Sequence, residues 1–250
     1  MADVGAPDYY DAYWKSEGWI TSPPLKLVEL FQEYVSPDDR LVDVGCGDGG
    51  TTGVWLNEHG ASYVGVDISQ NAVRMARERG LDARVIQDAG NLPFEDASFD
   101  IAVSVEVLEH LFEPQRAVRE IRRVLRPEGL LIATVPNAAH WRNRLDLALF
   151  GRWNPRGDHL SVSAPWRDPH IRFFTLRSLT RLLHQCGFDV RERGGFSEQP
   201  FLHHLPLLRA ISRDRRAGPT VRLLVAAWPA LLAANAYIVG RAPPAVADAD

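Results

Sequence analysis

Between residues 40 and 136 short apolar runs alternate with stretches of helical periodicity, and the first run ends in four glycines within residues 45–50. Leu41-Val42-Asp43-Val44 is continuous enough in apolar character to be a strand buried on both faces. Tyr63-Val64-Gly65-Val66, Arg84-Val85-Ile86, Phe99 to Val105 and Leu130 to Val135 repeat the pattern as strands two to five. Between them, Thr51 to His59 reads as a helix closed by Gly60, and Ser69 is an N-cap for a helix reaching Arg79, with Gly80 beyond it. Ala117, Val118, Ile121, Val124 and Leu125 fall at helical spacing and are followed by Pro127 and Gly129. Such alternation predicts an α/β chain with a parallel sheet and helices on both faces.

The register changes after Pro136. Residues 138–174 mix Trp141, Phe150, Trp153, Trp166, Phe173 and Phe174 with arginines, prolines and glycines, too long a stretch for an ordinary connection. It is expected to be an insertion over the carboxyl edge of the sheet. Thr175 to Gln185 is a helix ended by Gly187, Phe188 to Arg193 a sixth strand, and Ala236-Tyr237-Ile238-Val239 a seventh. Residues 197–233 form a second insertion, with a basic stretch from Arg209 to Arg222.

Composition excludes several classes. The chain has 250 residues, 46% of them hydrophobic, two cysteines and a net charge of −4. It is neither disordered nor a disulfide scaffold. The balance of charge argues against a grip on nucleic-acid backbone. Only Lys15 and Lys26 are lysines, which reads as a GC-rich genome rather than an anion-binding surface. Met1 to Pro7 has neither a basic start nor an apolar run, so a cytoplasmic location is expected. Leu223 to Gly240 is apolar, but Pro229 and Asn235 divide it. It reads as a short helix and a strand rather than a membrane span, with a peripheral membrane contact left open.

Chemistry starts at the glycine turn. Gly45, Gly47 and Gly50 satisfy G-x-G-x-x-G, and Asp67 ends the second strand, where a carboxylate can hold a ribose diol. Taken bare, the motif fits a dinucleotide and an NAD-linked oxidoreductase. Asp43 argues otherwise: a carboxylate two residues before Gly45 would repel a pyrophosphate and attract an ammonium or sulfonium group. Asp43, Gly45, Gly47 and Gly49, with Asp67, resemble the first two motifs of class I S-adenosylmethionine-dependent methyltransferases. Asp88-Ala89 after the third strand is similar to that family's adenine-binding position. Asn91 to Asp100, with Leu92-Pro93-Phe94 and Ser98-Phe99-Asp100, looks like the stretch found in the ubiquinone- and menaquinone-biosynthesis subgroup. The resemblance covers residues 38–137 closely.

It implies a Rossmann-like sheet of seven strands, mostly parallel, with helices on both faces and a lid formed by insertions. The whole of 1–250 is then one domain: a lid at 1–37, the cofactor core at 38–137, the two insertions and a frayed tail at 243–250. It also implies S-adenosylmethionine as cofactor and S-adenosylhomocysteine as product. Asp67 would hold the ribose, Asp88 and Ala89 the adenine, and the Gly45–Gly49 backbone the methionine part. Ile68 and Leu92 are candidates for an apolar adenine slot, and Val105 and Glu106, at the mouth of the site, are further cofactor-binding candidates. Tyr10 and Tyr13 lie in the segment Asp8 to Trp14, which is similar to the subgroup's lid over the cofactor. Trp141, Trp153 and Phe174 are expected to wall the acceptor pocket.

At the catalytic end, Glu106-Val107-Leu108-Glu109-His110 resembles the family's E-x-x-E-H. Glu106 and His110 would share a helix face, with His110 as a base. Alternatively Glu106, Glu109 and His110 form a divalent-metal set similar to that of ubiquinone-type O-methyltransferases, the less favoured reading. In a third reading His110 only caps or packs. His170, in Asp168 to Thr175, and His140, after Pro136-Asn137, are the other base candidates. The pair His203-His204 is assigned to surface or core. The expected function is methyl transfer to a small-molecule acceptor, most readily a hydroxyl of a natural product, sugar or quinone-like metabolite. No nucleic-acid partner is expected, and the sequence leaves oligomeric state open. An NAD-linked oxidoreductase and a non-catalytic accessory protein are the alternatives.

Overall fold

The computed structural model describes residues 7–16, 22–153, 168–197 and 219–244. Trp166, His203, His204, positions 209–218 and the tail from 245 lie outside the described residues. The first strand, β1 (Arg40–Val44), is buried from Leu41 onward and pairs in parallel with β2 (Ser62–Asp67) and β4 (Phe99–Val105). Then β2 pairs with β3 (Ala83–Val85), and β4 with β5 (Leu125–Pro136). The last strand, β7 (Asn235–Arg241), inserts antiparallel between β5 and β6 (Asp189–Phe196). The order is β3-β2-β1-β4-β5-β7-β6, a seven-stranded, mostly parallel sheet as expected.

Alternation along β1 divides the core. Val42 and Val44 face one side, where α5 (Pro114–Val124) and α7 (Leu176–Gln185) bury Ala117, Val118, Ile121, Leu179 and Leu183. Leu41 faces the other, with Leu27, Leu30 and Phe31 of α2 (Leu25–Tyr34), Leu56 of α3 (Gly53–Glu58), and Val73 and Ala76 of α4 (Gln70–Glu78). The helices begin where the sequence provides caps. Ser69 Oγ accepts from Ala72 N at 3.1 Å, Thr175 and Ser178 cap each other at α7, and Pro114 opens α5. The lead-in forms α1 (Pro7–Ser16), and the acceptor-side insertion contributes α6 (Trp141–Phe150). The divided segment becomes α8 (Pro219–Ala227), α9 (Pro229–Leu232) and β7, and no described helix is long and apolar enough to cross a membrane.

Two local expectations need correction. Strand β5 starts at Leu125, ahead of Pro127 and Gly129, because Leu125 pairs with Phe99 across an irregularity before the register resumes at Ile101 and Leu130. Residues 106–110 are not an α-helix. Glu106 has φ +57°, a left-handed conformation, and only Leu108–His110 makes a single 3-10 turn. The chain must reverse sharply at the carboxyl end of β4, which an α-helical start at Glu106 would not allow.

Candidate active site

The strand order reverses at β1 and β4, and a ligand cleft is expected beyond their carboxyl ends. A cleft of about 1010 Å³ opens there, lined from the glycine turn, α1, the ends of β2 to β5 and the start of β7. The turn is held down by Gly45 N and Cys46 N, which donate to Val66 O at 2.8 and 3.0 Å. Gly45 (φ +80°) and Gly47 (φ +54°) leave no room for a side chain. A Cβ on Gly45 would stand 2.3 Å from Val107 Cγ2, and one on Gly47 2.7 Å from the Trp14 ring.

Three carboxylates mark this half. Asp43 is buried and accepts from Thr52 Oγ1 at 2.5 Å and Tyr63 OH at 3.0 Å. Burial pushes its pKa up to about 6 against the pull of those two donors. Asp67 accepts from Gly47 N through one oxygen and from Ser69 N through the other, both at 2.9 Å. Burial raises its pKa, and these amides oppose the rise. Asp88 is more exposed, accepts from Gly90 N at 2.8 Å, and pairs with Arg116 at 3.1 Å. Ile68, Ala89, Val105, Glu106, Tyr10 and Tyr13 line the cleft with Gly45 and Gly47. Gly49 (φ +74°) faces Leu81 instead and shapes the turn from behind. Leu92 is a correction. It is buried in the core cluster with Phe99 and Val118, off the cleft wall, while Ile86 and Gln87 line the cleft from the end of β3.

Helix α1 lies across this half. Asp11 Oδ1 accepts from Ser69 Oγ at 2.6 Å and Asn71 N at 3.1 Å, and Asn71 Nδ2 donates to Asp11 O at 2.9 Å. Trp14 thereby covers Gly47, and the Tyr10 ring stands edge-on to His110 with centroids 6.0 Å apart. The Tyr10 hydroxyl is buried without a hydrogen-bond partner among the described residues. Burial raises its pKa. Asp11 and Trp14 belong to the lead-in motif, yet sequence reasoning gave roles only to the tyrosines.

At the other end the structure brings His110 and His170 together, with ring centroids 4.7 Å apart. Glu109 is buried beneath them, and its Oε1 lies 3.8 Å from Nε2 of each. Its backbone carbonyl accepts from Ile171 N at 3.0 Å and Arg172 N at 2.9 Å, which fastens the His170 loop to β4's end. Glu106 is turned away from this group. Its carboxylate accepts from Thr134 Oγ1 at 2.8 Å and Asn235 Nδ2 at 3.0 Å, and burial raises its pKa. Glu106 and His110 therefore do not share a helix face, and the convergent acid–histidine set is Glu109, His110 and His170.

His140 lines the cleft from the start of α6. Among the described residues the aromatic wall is not formed as expected. Phe174 is buried in the core, Trp153 packs edge-on against Phe173 with centroids 5.2 Å apart, and neither lines the cleft. Trp141 also stays off the lining, which here mixes Asn137, Arg142, Asn143, Asp146 and Asn235 with Leu111, Phe112 and Pro169.

Residues 42–133 match the family described as a methyltransferase domain. A Mycobacterium tuberculosis protein, named "Probable S-adenosylmethionine-dependent methyltransferase", is 31% identical over 208 residues, 80% of this chain and 66% of its own length. The chain belongs to the class I S-adenosylmethionine-dependent methyltransferases. As a member it is also similar to the tRNA (carboxymethyluridine(34)-5-O)-methyltransferase of Arabidopsis thaliana, 30% identical over 163 residues, 61% of this chain and 38% of that protein. Among solved structures, the cyclase SpnF matches with a TM-score of 0.57 at 26% identity, covering 88% of this chain and 82% of its own. The matched stretch spans only 38%, 53% and 31% of the first three curated relatives.

The methyltransferase cofactor fits the residues present. Gly45, Gly47 and Asp67 line the cleft together at the carboxyl ends of β1 and β2, the positions that the resemblance implies for the cofactor. Asp43 and Asp67 give the cleft the negative charge that a sulfonium and an ammonium require.

Proposed function

We propose that this chain methylates a hydroxyl of a small-molecule acceptor at the end of the cleft formed by Glu109, His110 and His170. The observation that carries this reading is the convergence of those three side chains, from two segments far apart in sequence, in the same cleft as the glycine turn. Bound S-adenosylmethionine supplies a methyl group on a cationic sulfur. Asp67 holds the ribose, Asp88 and Ala89 meet the adenine edge, and Ile68 and Ile86 pack on its faces. Glu106, fixed by Thr134 and Asn235, keeps the end of β4 in the left-handed turn that exposes His110. Tyr10 and Trp14 close over the cofactor and exclude water. His110 and His170 form the pole that accepts the proton, or the developing negative charge, of the acceptor oxygen. His140 lines the cleft from the start of α6, outside the Glu109, His110 and His170 group, and is assigned to acceptor binding.

Arg142, Asn143, Asp146 and Asn235 on the lining supply hydrogen-bond partners that support a hydroxylated acceptor. The O-directed name of the Arabidopsis relative supports oxygen as the target atom. The likeness to a cyclase supports a second reading, in which the cleft shapes a bound substrate without moving a methyl group. Titration with S-adenosylhomocysteine and with NADH, followed by an acceptor screen with labelled S-adenosylmethionine, separates these. Binding of the first ligand alone, with methylated product lost in His110→Ala and His170→Ala, supports the proposal. Cofactor binding with no methylated product from any hydroxylated acceptor supports the second reading.

A further inference from the structure

Outside the cleft, one exposed face of α7 gathers positive charge. Arg177, Arg181 and His184 stand about one turn apart along the helix, and Arg193 reaches them from the edge strand β6. With Thr180 and Gln185 they line a shallow groove, and none of the six lines the cofactor cleft. The run from 169 to 188 contains no Asp or Glu, in a chain whose acids outnumber its lysines and arginines by 32 to 28. Acids on the neighbouring elements are engaged elsewhere. Asp189 pairs with Arg241 at 3.8 Å and Glu120 with Arg123 at 2.6 Å. Glu192 accepts from Tyr34 and Tyr237 and pairs with Lys26 at 3.2 Å. Among the described residues no ion pair reaches Arg177, Arg181, His184 or Arg193.

Such an arrangement is unfavourable until an anion joins it. Arg177 and Arg181 are like charges at i and i+4, which disfavours a helix, and Arg177 lies in the first turn, where the dipole favours a carboxylate. Arg193 is held in this company. Its Nη1 donates to Thr180 Oγ1 at 3.2 Å, and that hydroxyl, on a residue 7% exposed, is itself fixed by donating to Leu176 O at 2.7 Å. Thr180 stands three residues after Arg177 and four before His184, so the third guanidinium is anchored beside the other cations rather than spread into solvent. Guanidinium forks match phosphate oxygens in pairs, and a phosphate monoester carries about −1.5 to −2 charges near neutral pH. We propose that Arg177, Arg181 and Arg193, with His184 at the end of the groove, bind the phosphate of a small phosphorylated ligand at a second site, apart from the cofactor cleft. A terminal phosphate or a diphosphate answers three guanidiniums where a lone carboxylate leaves most of their charge unmet. Asp43 and Asp67 repel the same ligand from the cofactor cleft.

The site stands independently of which acceptor is methylated. The full chain is titrated by calorimetry with inorganic phosphate and with pyrophosphate at low salt, and S-adenosylhomocysteine is titrated into the same samples. One pyrophosphate per chain is expected to bind saturably at about millimolar concentration, more weakly as salt is raised, with inorganic phosphate weaker at the same residues. Arg181→Ala and Arg193→Ala should each weaken pyrophosphate by about tenfold, the low end for a charge-assisted bond in an exposed groove. Thr180→Val removes the hydroxyl that anchors Arg193 and should weaken binding by about threefold, and Thr180→Ser should restore it, a response that a change of overall charge would not produce. Arg74→Ala removes the same charge from an exposed pair with Glu78 on α4 and should leave pyrophosphate binding unchanged. S-adenosylhomocysteine affinity should stay within about twofold in every variant, which certifies the fold and the separateness of the site. A parent that binds S-adenosylhomocysteine but shows no saturable pyrophosphate binding overturns the proposal. Equal weakening by Arg74→Ala and Arg181→Ala also overturns it, since binding would then follow overall charge. So does displacement of pyrophosphate by S-adenosylhomocysteine, which would put the anion in the cleft. Binding of a single-stranded RNA, lost in Arg181→Ala, with no binding of pyrophosphate overturns the assignment to a small ligand.

Discussion

Asp11→Ala is the sharpest test of the lid. The substitution removes two hydrogen bonds that cross from α1 to the start of α4, from Ser69 Oγ at 2.6 Å and Asn71 N at 3.1 Å. A hydrogen bond to a charged acceptor contributes about 1.5–3 kcal/mol net, and partial exposure of Asp11 puts these two at or below the lower end. The carboxylate also sits at a helix N-terminus, worth about 0.3–1 kcal/mol. The third contact, from Asn71 Nδ2 to the Asp11 backbone carbonyl, survives. Ser69 Oγ still accepts from Ala72 N and Asn71 N can turn to water, while the buried Ser69 hydroxyl hydrogen loses its acceptor. The net loss is about 2 kcal/mol, or roughly 30-fold in the docking equilibrium of α1. Apparent cofactor affinity falls by the fraction of molecules left with α1 docked, so S-adenosylhomocysteine should bind about 5–30-fold more weakly. Calorimetric titration measures this, and amide exchange across 7–16 should show faster exchange in α1 with the sheet unaffected. Affinity within about twofold of the parent, with α1 exchange unchanged, would refute the clasp. Equal acceleration in β1 and β4 would refute the separability of the lid.

Asp43 predicts a pH dependence with opposite signs for stability and binding. Its folded pKa of about 6 lies above the ordinary value of 3.8, so the folded state holds the proton more tightly. Its contribution is present below about pH 4 and is lost as pH rises toward and past 6, on the order of 2–3 kcal/mol. Asp43→Asn should remove that slope from chemical denaturation curves. S-adenosylmethionine binding should instead strengthen through pH 6 as the carboxylate ionises, with proton release visible in buffers of different ionisation enthalpy. Gly45→Ala places a Cβ at φ +80° against Val107 and should cost about 2 kcal/mol or more in denaturant melts, with loss of cofactor binding. Arg116→Ala breaks an exposed pair with Asp88 and should leave stability within about 1 kcal/mol, while S-adenosylhomocysteine titration reports whether freed Asp88 binds adenine more tightly.

The strands were legible because parallel strands buried on both faces must be apolar without interruption, as Leu41 to Val44 and Phe99 to Val105 are. The glycine turn was legible because a backbone with φ near +80° between strand and helix admits little else. Asp43 and Asp67 could be placed because each interrupts or closes an otherwise apolar run, near the carboxyl ends of the paired strands β1 and β2. The catalytic end was only half legible. The spacing of Glu106 and His110 implies a helix face, but the left-handed φ at Glu106 depends on Thr134 and Asn235, residues 28 and 129 positions away. Leu92 and Phe174 failed for a similar reason. An apolar residue near a pocket and one beneath it look identical in sequence, and only packing tells which way the side chain turns. Asp11 carried no signal of its own, since a clasp 58 and 60 residues long leaves no local periodicity.

Glu109 is used twice, its carbonyl gripping the backbone at 171–172 and its carboxylate facing His170. On the other side of the same connection, Ala138 N donates to Phe174 O, and Asn137 and Phe174 form an isolated parallel bridge. The two ends of the acceptor-side insertion are therefore tied to each other and to the carboxyl edge of the sheet. The same short stretch of chain after β4 thus fixes both the position of the His170 loop and the place where His110 enters the cleft, so a shift of backbone at 109 would move both rings together.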